Sequence, residues 1–351
     1  MASAPFISVV IPVRNEGRHV ARTVSAVLDG EYPPERLEVI VVDGASGDDT
    51  RAQVRAIAAH DARVRVLDNP AGRTPVGLNI GVRAARGDVI VRIDAHTLPA
   101  ADYLTACVRA LERAGVWAVG GRMVGAGETP FGRAVAAATG TPFGAGDARF
   151  RLGGEGPADT VYLGAWWREV FDRVGLFDER MARNQDYELC VRIRAAGGTV
   201  WLDPEIRSIT RVRETPAGLA RQYFGYGEGR AATVALYPGS LRWRQAMPAL
   251  FAAALAVGSL GALLVPGLAA WFVAVVAGYA AVTVGVTAWV GRRMTWRDAL
   301  RLPPVFWIIH LTWGCGFWAA IARYAGRRVG AALRGRPDAD NRNEPNRVKP
   351  D

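Results

Sequence analysis

Between Met247 and Val290 the chain carries no charged side chain. So long an uncharged stretch has no polar face to turn to water, so it belongs in a buried core or in lipid. Pro266-Gly267 divides it into Pro248–Val265 and Leu268–Val290, and a Pro-Gly pair between two apolar runs predicts a transmembrane hairpin over 248–290. Arg242 and Arg244 precede the hairpin, and Arg292, Arg293, Arg297 and Arg301 follow it, which places both of its ends on the cytoplasmic side. A third apolar segment, 303–322, is followed by Arg323, Arg327 and Arg328, which would lie outside after a full crossing. With Gly314-Cys315-Gly316 near its middle, this segment is expected to be a broken or re-entrant helical pair that returns the tail to the cytoplasm. His310 lies within it, either as a functional group or hydrogen-bonded to a neighbouring backbone group. Seven of the eleven tryptophans fall from Trp243 onward, as interface anchors do. The reading is a multi-pass protein of the inner (cytoplasmic) membrane, with a membrane region over 236–323 and a basic, partly disordered tail over 324–351.

Residues 1–235 have a different texture. Ile7–Val13, Leu37–Asp43, Val64–Asp68 and Val89–Asp94 read as strands. Helices are expected over His19–Leu28, Asp49–Ala59, Pro75–Ala85 and about Ala100–Ala114. This alternation predicts an α/β fold with a mostly parallel sheet covered by helices on both faces. Further strands are expected at Trp117–Arg122, Thr160–Leu163, Thr199–Leu202 and Arg207–Val212, and helices at Trp167–Val174 and Gln185–Ala196. A Gly-rich stretch through Gly156 suits loops or a lid. The segment Pro216–Ala235 is expected to lie along the membrane surface.

The net charge of +10 comes almost wholly from arginine, since Lys349 is the one lysine. No basic stripe is interleaved with aromatics, so no nucleic-acid partner is expected. The arginines from Arg207 to Arg244 approach the first apolar run and suit a lipid surface. Cys107, Cys190 and Cys315 have neither disulfide nor zinc spacing. Phe6–Pro12 is too short for a signal-peptide core, so the N-terminal domain is expected in a reducing cytoplasm.

Ligands of open α/β sheets bind beyond the carboxyl ends of the strands, where Asp43 and Asp94 stand. Either alone is an ordinary turn former, but the two together point to a site. In Asp94-Ala95-His96 the first and third side chains face one side of an extended loop, where a hard cation could join them to a diphosphate. A dinucleotide-binding reading fails, because the first strand leads into Arg14-Asn15-Glu16-Gly17 and neither a GxGxxG nor a Walker motif occurs.

Several motifs occur in order: Ile11-Pro12-Val13-Arg14-Asn15-Glu16; Val41-Val42-Asp43-Gly44-Ala45-Ser46 with Asp49-Thr50; Leu78-Asn79-Ile80-Gly81; Arg92-Ile93-Asp94-Ala95-His96; Gly175-Leu176-Phe177-Asp178-Glu179; and Asn184-Gln185-Asp186. This set resembles the inverting family 2 glycosyltransferases of the GT-A fold over residues 6–213, and within them bacterial exopolysaccharide enzymes of the succinoglycan type. The resemblance implies that Pro12, Glu16, Asp43 and Asp94 bind a nucleotide-diphosphate sugar such as a UDP- or GDP-sugar. It implies too that Asp94 and His96 hold Mg²⁺ or Mn²⁺, and that Asp186 is the catalytic base. Two departures stand out: His96 occupies a position where Asp is more frequent, and Gln185 one where an acid is common.

Trp166 and Trp167 are candidate acceptor-sugar contacts or core residues. Arg221, Tyr226 and Arg230 are candidate contacts to donor phosphate, polyprenyl phosphate or lipid headgroups, and Asp178 and Glu179 brace the loop before the base. The expected function is hexose transfer to a lipid-linked or polysaccharide acceptor in cell-surface glycan assembly. A polyprenyl-phosphate sugar synthase and a non-catalytic membrane scaffold remain alternatives. Gln222-Tyr223-Phe224-Gly225-Tyr226 does not match the QxxRW element of processive synthases, which favours addition of one or few sugars.

Overall fold

The structure, a computed structural model, describes residues 4–333 apart from 114, 147 and 182, so the tail expected over 324–351 lies outside the described residues from 334 onward. The strands are β1 (Ile7–Val13), β2 (Leu37–Asp43), β3 (Val64–Asp68), β4 (Val89–Arg92), β5 (Thr97–Pro99), β6 (Val116–Ala126), β7 (Gly156–Pro157), β8 (Ala165–Trp167) and β9 (Thr199–Arg211). The helices around them are α1 (Val20–Leu28), α2 (Thr50–His60), α3 (Thr74–Ala84), α4 (Tyr103–Leu111), α5 (Pro130–Thr139), α6 (Pro142–Ala145), α7 (Arg149–Leu152), α8 (Arg168–Val174) and α9 (Gln185–Ala195). After them come α10 (Pro216–Leu236), α11 (Trp243–Leu264), α12 (Pro266–Gly291), α13 (Trp296–Ala299) and α14 (Leu302–Leu333).

One sheet runs β3-β2-β1-β4-β8-β6-β9-β5, with β7 on β9. Its first half is parallel and buried on both faces, which is why β1 and β2 read as near-continuous hydrophobic runs. Its second half is mixed: β8 runs antiparallel to β4 and β6, β5 and β7 run antiparallel to β9, and β6 is parallel to β9. The α/β sheet is thus parallel throughout its first half and mixed in its second, where β6 and β9 keep the parallel pairing.

The two strands expected at Thr199–Leu202 and Arg207–Val212 are one strand, whose register against β6 shifts between Gly121 and Arg122. A Cβ at Gly121 would overlap the Ile206 carbonyl, so the irregularity requires this glycine. The expected strand at Thr160–Leu163 does not form. Leu163 takes φ 63° and Gly164 φ 106°, which turns the chain so that pairing starts at Ala165.

Val9 and Ile11 of β1 pack on one side of the sheet, with α1 and α4, and Val10 packs on the other, with α3 and α9. The C-terminal helices form a separate block. Helices α11, α12 and the stretch Trp296–Gly326 are each long and apolar enough to cross a membrane. They differ in packing: Val257, Leu263 and Leu264 of α11 and Val284 of α12 are exposed, whereas Leu302, Val305 and Phe306 of α14 are fully buried against α5 and α10.

Two expectations are corrected here. Helix α14 is continuous, with no break at Gly314-Cys315-Gly316. Those glycines allow close helix contact instead, since a Cβ at Gly314 would overlap the Pro248 carbonyl on α11 and one at Gly316 the Phe224 carbonyl on α10. Helix α10 is also no surface-lying element. Leu219, Tyr223, Gly225, Gly227, Gly229, Ala231 and Thr233 are buried, and a Cβ at Gly227 would overlap the Trp313 carbonyl of α14.

Candidate active site

The parallel half of the sheet brings three chain segments to one rim. Val13 and Asp43 are level in the β1–β2 register, so the loops after both strands start side by side. They are then clasped together: the Asn15 amide donates to Ser46 Oγ (2.9 Å), the Gly47 amide to Asn15 Oδ1 (2.8 Å) and the Glu16 amide to Thr50 Oγ1 (2.8 Å). Asn15 and Ala45 take φ 56° and 57°, left-handed conformations that aim this double loop. Beyond β4, the Ala95 carbonyl accepts from Thr23 Oγ1 at 2.7 Å, which fixes the Asp94-Ala95-His96 loop against α1.

Asp186 arrives from the far side of the sequence, in the first turn of α9, where a negative side chain suits the helix dipole. The preceding segment is held by Asn79 of α3. Its side chain, which is buried, donates to the Phe177 carbonyl (2.9 Å) and Glu179 Oε1 (3.0 Å) and accepts from the Phe177 amide (3.0 Å). Arg73 donates to the Glu179 carbonyl at 2.9 Å. The Leu78-Asn79-Ile80-Gly81 and Gly175–Glu179 motifs are therefore two halves of one brace. Just before α9, Asn184 at φ 61° donates to the Tyr226 carbonyl of α10.

These segments line one cavity of about 980 Å³. Pro12, Glu16, Asp94, His96, Asp186, Tyr226 and Arg230 all face it. Asp43 does not: it is buried just below, between the lining residues Val42 and Gly44, accepting from the Ser46 amide, with Arg51 at 3.8 Å. Arg221 is exposed outside the lining.

Trp166 and Trp167, candidate acceptor contacts, also lie outside the cavity lining. Trp166 is fully buried between Phe171 and Phe177, and Trp167 donates its indole N–H to the Leu111 carbonyl. Their place on a short central strand between β4 and β6 sends them into the core. Arg230 lines the cavity with its guanidinium stacked 3.6 Å over the Tyr187 ring, next to the base candidate.

The electrostatics centre on Arg92, a residue outside the motif roles expected from the sequence. Arg92 ends β4 and is buried. It donates from Nη2 and Nε to Asp94 Oδ1 at 2.7 and 3.2 Å, and its Nη1 lies 3.5 Å from Asp186 Oδ2. Burial opposes charge on Asp94, but the positive Arg92 and His96 overcome it and hold the carboxyl below its ordinary range. His96 has its Nδ1 3.2 Å from Glu16 Oε1. Burial disfavours its protonation, yet the Glu16 hydrogen bond and the Asp94 charge raise its pKa above the ordinary value.

Asp94 and His96 stand two residues apart on one wall, and among the described residues no cluster of three His, Cys, Asp or Glu side chains forms. So open a pair fits a cation that takes the rest of its shell from substrate phosphate and water, not one held in a protein cage.

The opposite wall is built by the C-terminal helices. Phe251 of α11, Tyr279 of α12 and Ile309, His310 and Trp313 of α14 line it, with Tyr223 of α10. His310 Nε2 donates to the Phe143 carbonyl of α6 at 2.7 Å, and its Nδ1 lies 2.7 Å from the Tyr279 hydroxyl. The backbone hydrogen bond is of the expected kind, but its partner lies 167 positions away and in no broken helix. Arg149, Arg151, Arg213 and Arg244 also line the cavity. Arg213 and Arg244, expected at a lipid surface, thus face the cavity instead, and nothing in the local sequence of Arg149 and Arg151 separates them from the other arginines.

The family model for glycosyl transferase family 2 matches residues 8–175. The succinoglycan biosynthesis protein ExoA of Rhizobium meliloti is 31% identical over 327 residues, which cover 92% of this chain and 96% of that protein. A dolichyl N-acetyl-alpha-D-glucosaminyl phosphate 3-beta-D-2,3-diacetamido-2,3-dideoxy-beta-D-glucuronosyltransferase of Methanococcus voltae is 24% identical over 238 residues, 65% of this chain and 74% of that one. Among solved structures, the mannosyltransferase PcManGT of Pyrobaculum calidifontis, in complex with GDP-Man and Mn²⁺, superposes with a TM-score of 0.57 at 21% identity. That match covers 88% of this chain and 86% of that one, and it speaks for the fold. With its motifs gathered at one sheet rim and a relative of this similarity along nearly its whole length, the chain belongs to glycosyltransferase family 2.

Proposed function

We propose that this family 2 glycosyltransferase is a membrane-anchored inverting enzyme that transfers a hexose from a nucleotide-diphosphate sugar to a lipid-linked acceptor of cell-surface glycan assembly, on the cytoplasmic side. The observation that carries the reading is the single cavity joining the acidic rim of Glu16, Asp94 and Asp186 to a chamber walled by apolar helices. A soluble sugar acceptor would not call for Phe251, Ile309 and Trp313 in the same cavity as the base, whereas a lipid-linked one would. Names of relatives support it: ExoA in succinoglycan biosynthesis and a dolichyl-phosphate-linked sugar transferase.

In this reading Pro12 and the loop above Asp43 take the nucleoside, and the Asp186 carboxylate removes the proton of the attacking acceptor hydroxyl. Asp94 and His96 would hold Mg²⁺ or Mn²⁺, whose positive charge would stabilise the departing diphosphate. His96 would bind the cation through a neutral imidazole nitrogen. Tyr226 and Arg230 flank the acceptor side. Arg221, exposed and outside the cavity lining, is left with a lipid-headgroup role.

The membrane anchor is α11, α12 and α14, and the exposed apolar faces of the first two suit lipid. The test is release of nucleoside diphosphate from a panel of UDP- and GDP-sugars by membranes containing the full chain, with and without lipid extract and chelator. The reading predicts lipid-stimulated, chelator-sensitive release. Release stimulated by a bare polyprenyl phosphate, and not by lipid-linked saccharide, would favour a polyprenyl-phosphate sugar synthase; no release from any donor would favour the scaffold.

A further inference from the structure

Resting on the assignment of Asp186 as base, we propose that Arg92 is the positioning residue that orients the Asp186 carboxylate, using Asp94 as its anchor. A charged side chain at the end of a strand whose four residues are all buried is costly unless the fold uses it. Two of its donors, Nε and Nη2, converge on Asp94 Oδ1, which fixes the guanidinium plane and leaves Nη1 directed at Asp186 Oδ2 at 3.5 Å. Nη1 is buried and has no hydrogen-bond partner among the described residues. An unmet donor at that distance from a carboxylate needs only a small closing movement to form a charge-assisted bond, and such bonds tighten when substrate is bound.

Two carboxylates facing one cavity would also repel each other, and a guanidinium between them removes that repulsion. Asp94 lies on the sheet rim and Asp186 on α9, elements far apart in sequence, so Arg92 ties the donor side of the site to the base. Lysine could neutralise the charge but not reach both acids with a rigid fork. The sequence held one signal for this: an arginine in an otherwise apolar strand, two residues before an aspartate.

The experiment is a double-mutant cycle in the full chain, in membranes, comparing wild type, Arg92→Gln, Asp186→Asn and the double variant by kcat for nucleoside diphosphate release with acceptor. Calorimetric binding of UDP or GDP and a thermal midpoint are measured alongside. Arg92→Gln is expected to lower kcat by about 10²-fold, the usual share of a positioned base. In the Asp186→Asn background it is expected to cost no more than about 3-fold further, because effects passing through one group do not add. Nucleotide affinity measured without a divalent cation, which reads the Pro12 and Asp43 loops and not the Asp94 side that Arg92 holds, is expected to stay within about 3-fold of wild type throughout. Arg92→Lys, which keeps the charge if Arg92→Gln fails to fold, is expected to lose about 10-fold in kcat. Multiplying effects in the double variant, or wild-type kcat in Arg92→Lys, would overturn the role of Arg92 alone. Full turnover in Asp186→Asn would overturn the base assignment, and this inference with it.

Discussion

The two walls of the cavity are made in different ways. The sheet wall is assembled from short segments that each carry a motif: Pro12 to Glu16 at the end of β1, Asp94 to His96 after β4, and Asn184 to Asp186 at α9. Its precision comes from hydrogen bonds that clasp these segments, such as the Asn15 amide to Ser46 Oγ and the Asn79 side chain of α3 to the Phe177 carbonyl. The helical wall has no motif. It is set by backbone approach, with glycines on facing helices admitting carbonyls where a side chain would not fit. Chemistry is therefore written locally in one wall, while the other is written as shape. A substitution on the sheet wall should change turnover, and one in the helical block should change stability first.

The largest expected effect lies on the sheet wall. Asp186→Asn should lower kcat by roughly 10²-fold or more while the protein keeps its thermal midpoint, since general-base catalysis carries about that share. Steady-state assay and calorimetry check both halves. Next is a pair on the helical side. Glycine to alanine in a helix interior ordinarily stabilises by about 1 kcal/mol. At Gly278 of α12, where nothing lies within 4 Å of an added Cβ, Gly278→Ala should leave the midpoint unchanged or raise it. At Gly227 the Trp313 backbone is in the way, so Gly227→Ala should reverse the sign and destabilise by about 1–3 kcal/mol. Equal midpoints for the two variants in detergent would break the contrast.

How far each wall was legible follows from the same difference. Strand and helix alternation through residue 111 could be read, because buried parallel strands are apolar runs and their helices keep the 3.6-residue period. Glu16, Asp94, His96 and Asp186 could be named because each sits in a motif, and the fold sets them around one cavity. Trp166 and Trp167 stay open between core and sugar site in the sequence, because aromatic pairs serve both, and the fold places them in the core. The glycines of α14 suggested a broken helix, since a glycine that admits a neighbouring backbone looks in sequence like one that ends a helix. The partners of His310, Phe143 and Tyr279, are fixed only by tertiary packing.

The smallest expected effect concerns how the sheet side depends on pH. Glu38 is fully buried on β2. Burial opposes its charge, but hydrogen bonds from Ser8, the Arg86 amide and Arg65, with the Arg86 charge, bring its pKa below the ordinary 4.5. Its folded-state pKa is depressed, so its contribution to stability is present above the unfolded value and is lost as pH falls through the folded one. Glu38→Gln should therefore flatten the decline in thermal midpoint below about pH 4.5. An unchanged acid limb would remove Glu38 from that decline.

The central claim is that the acidic rim and the helical chamber belong to one active site, one holding the donor and the other the acceptor. Steady-state kinetics of Asp94→Asn and Phe251→Ala, each with donor and lipid-linked acceptor varied in turn, test it most directly. The account predicts that Asp94→Asn raises the donor KM or lowers kcat with the acceptor KM unchanged, and that Phe251→Ala raises the acceptor KM with the donor KM unchanged. An acceptor KM indifferent to Phe251→Ala would separate the chamber from the chemistry and contradict the account.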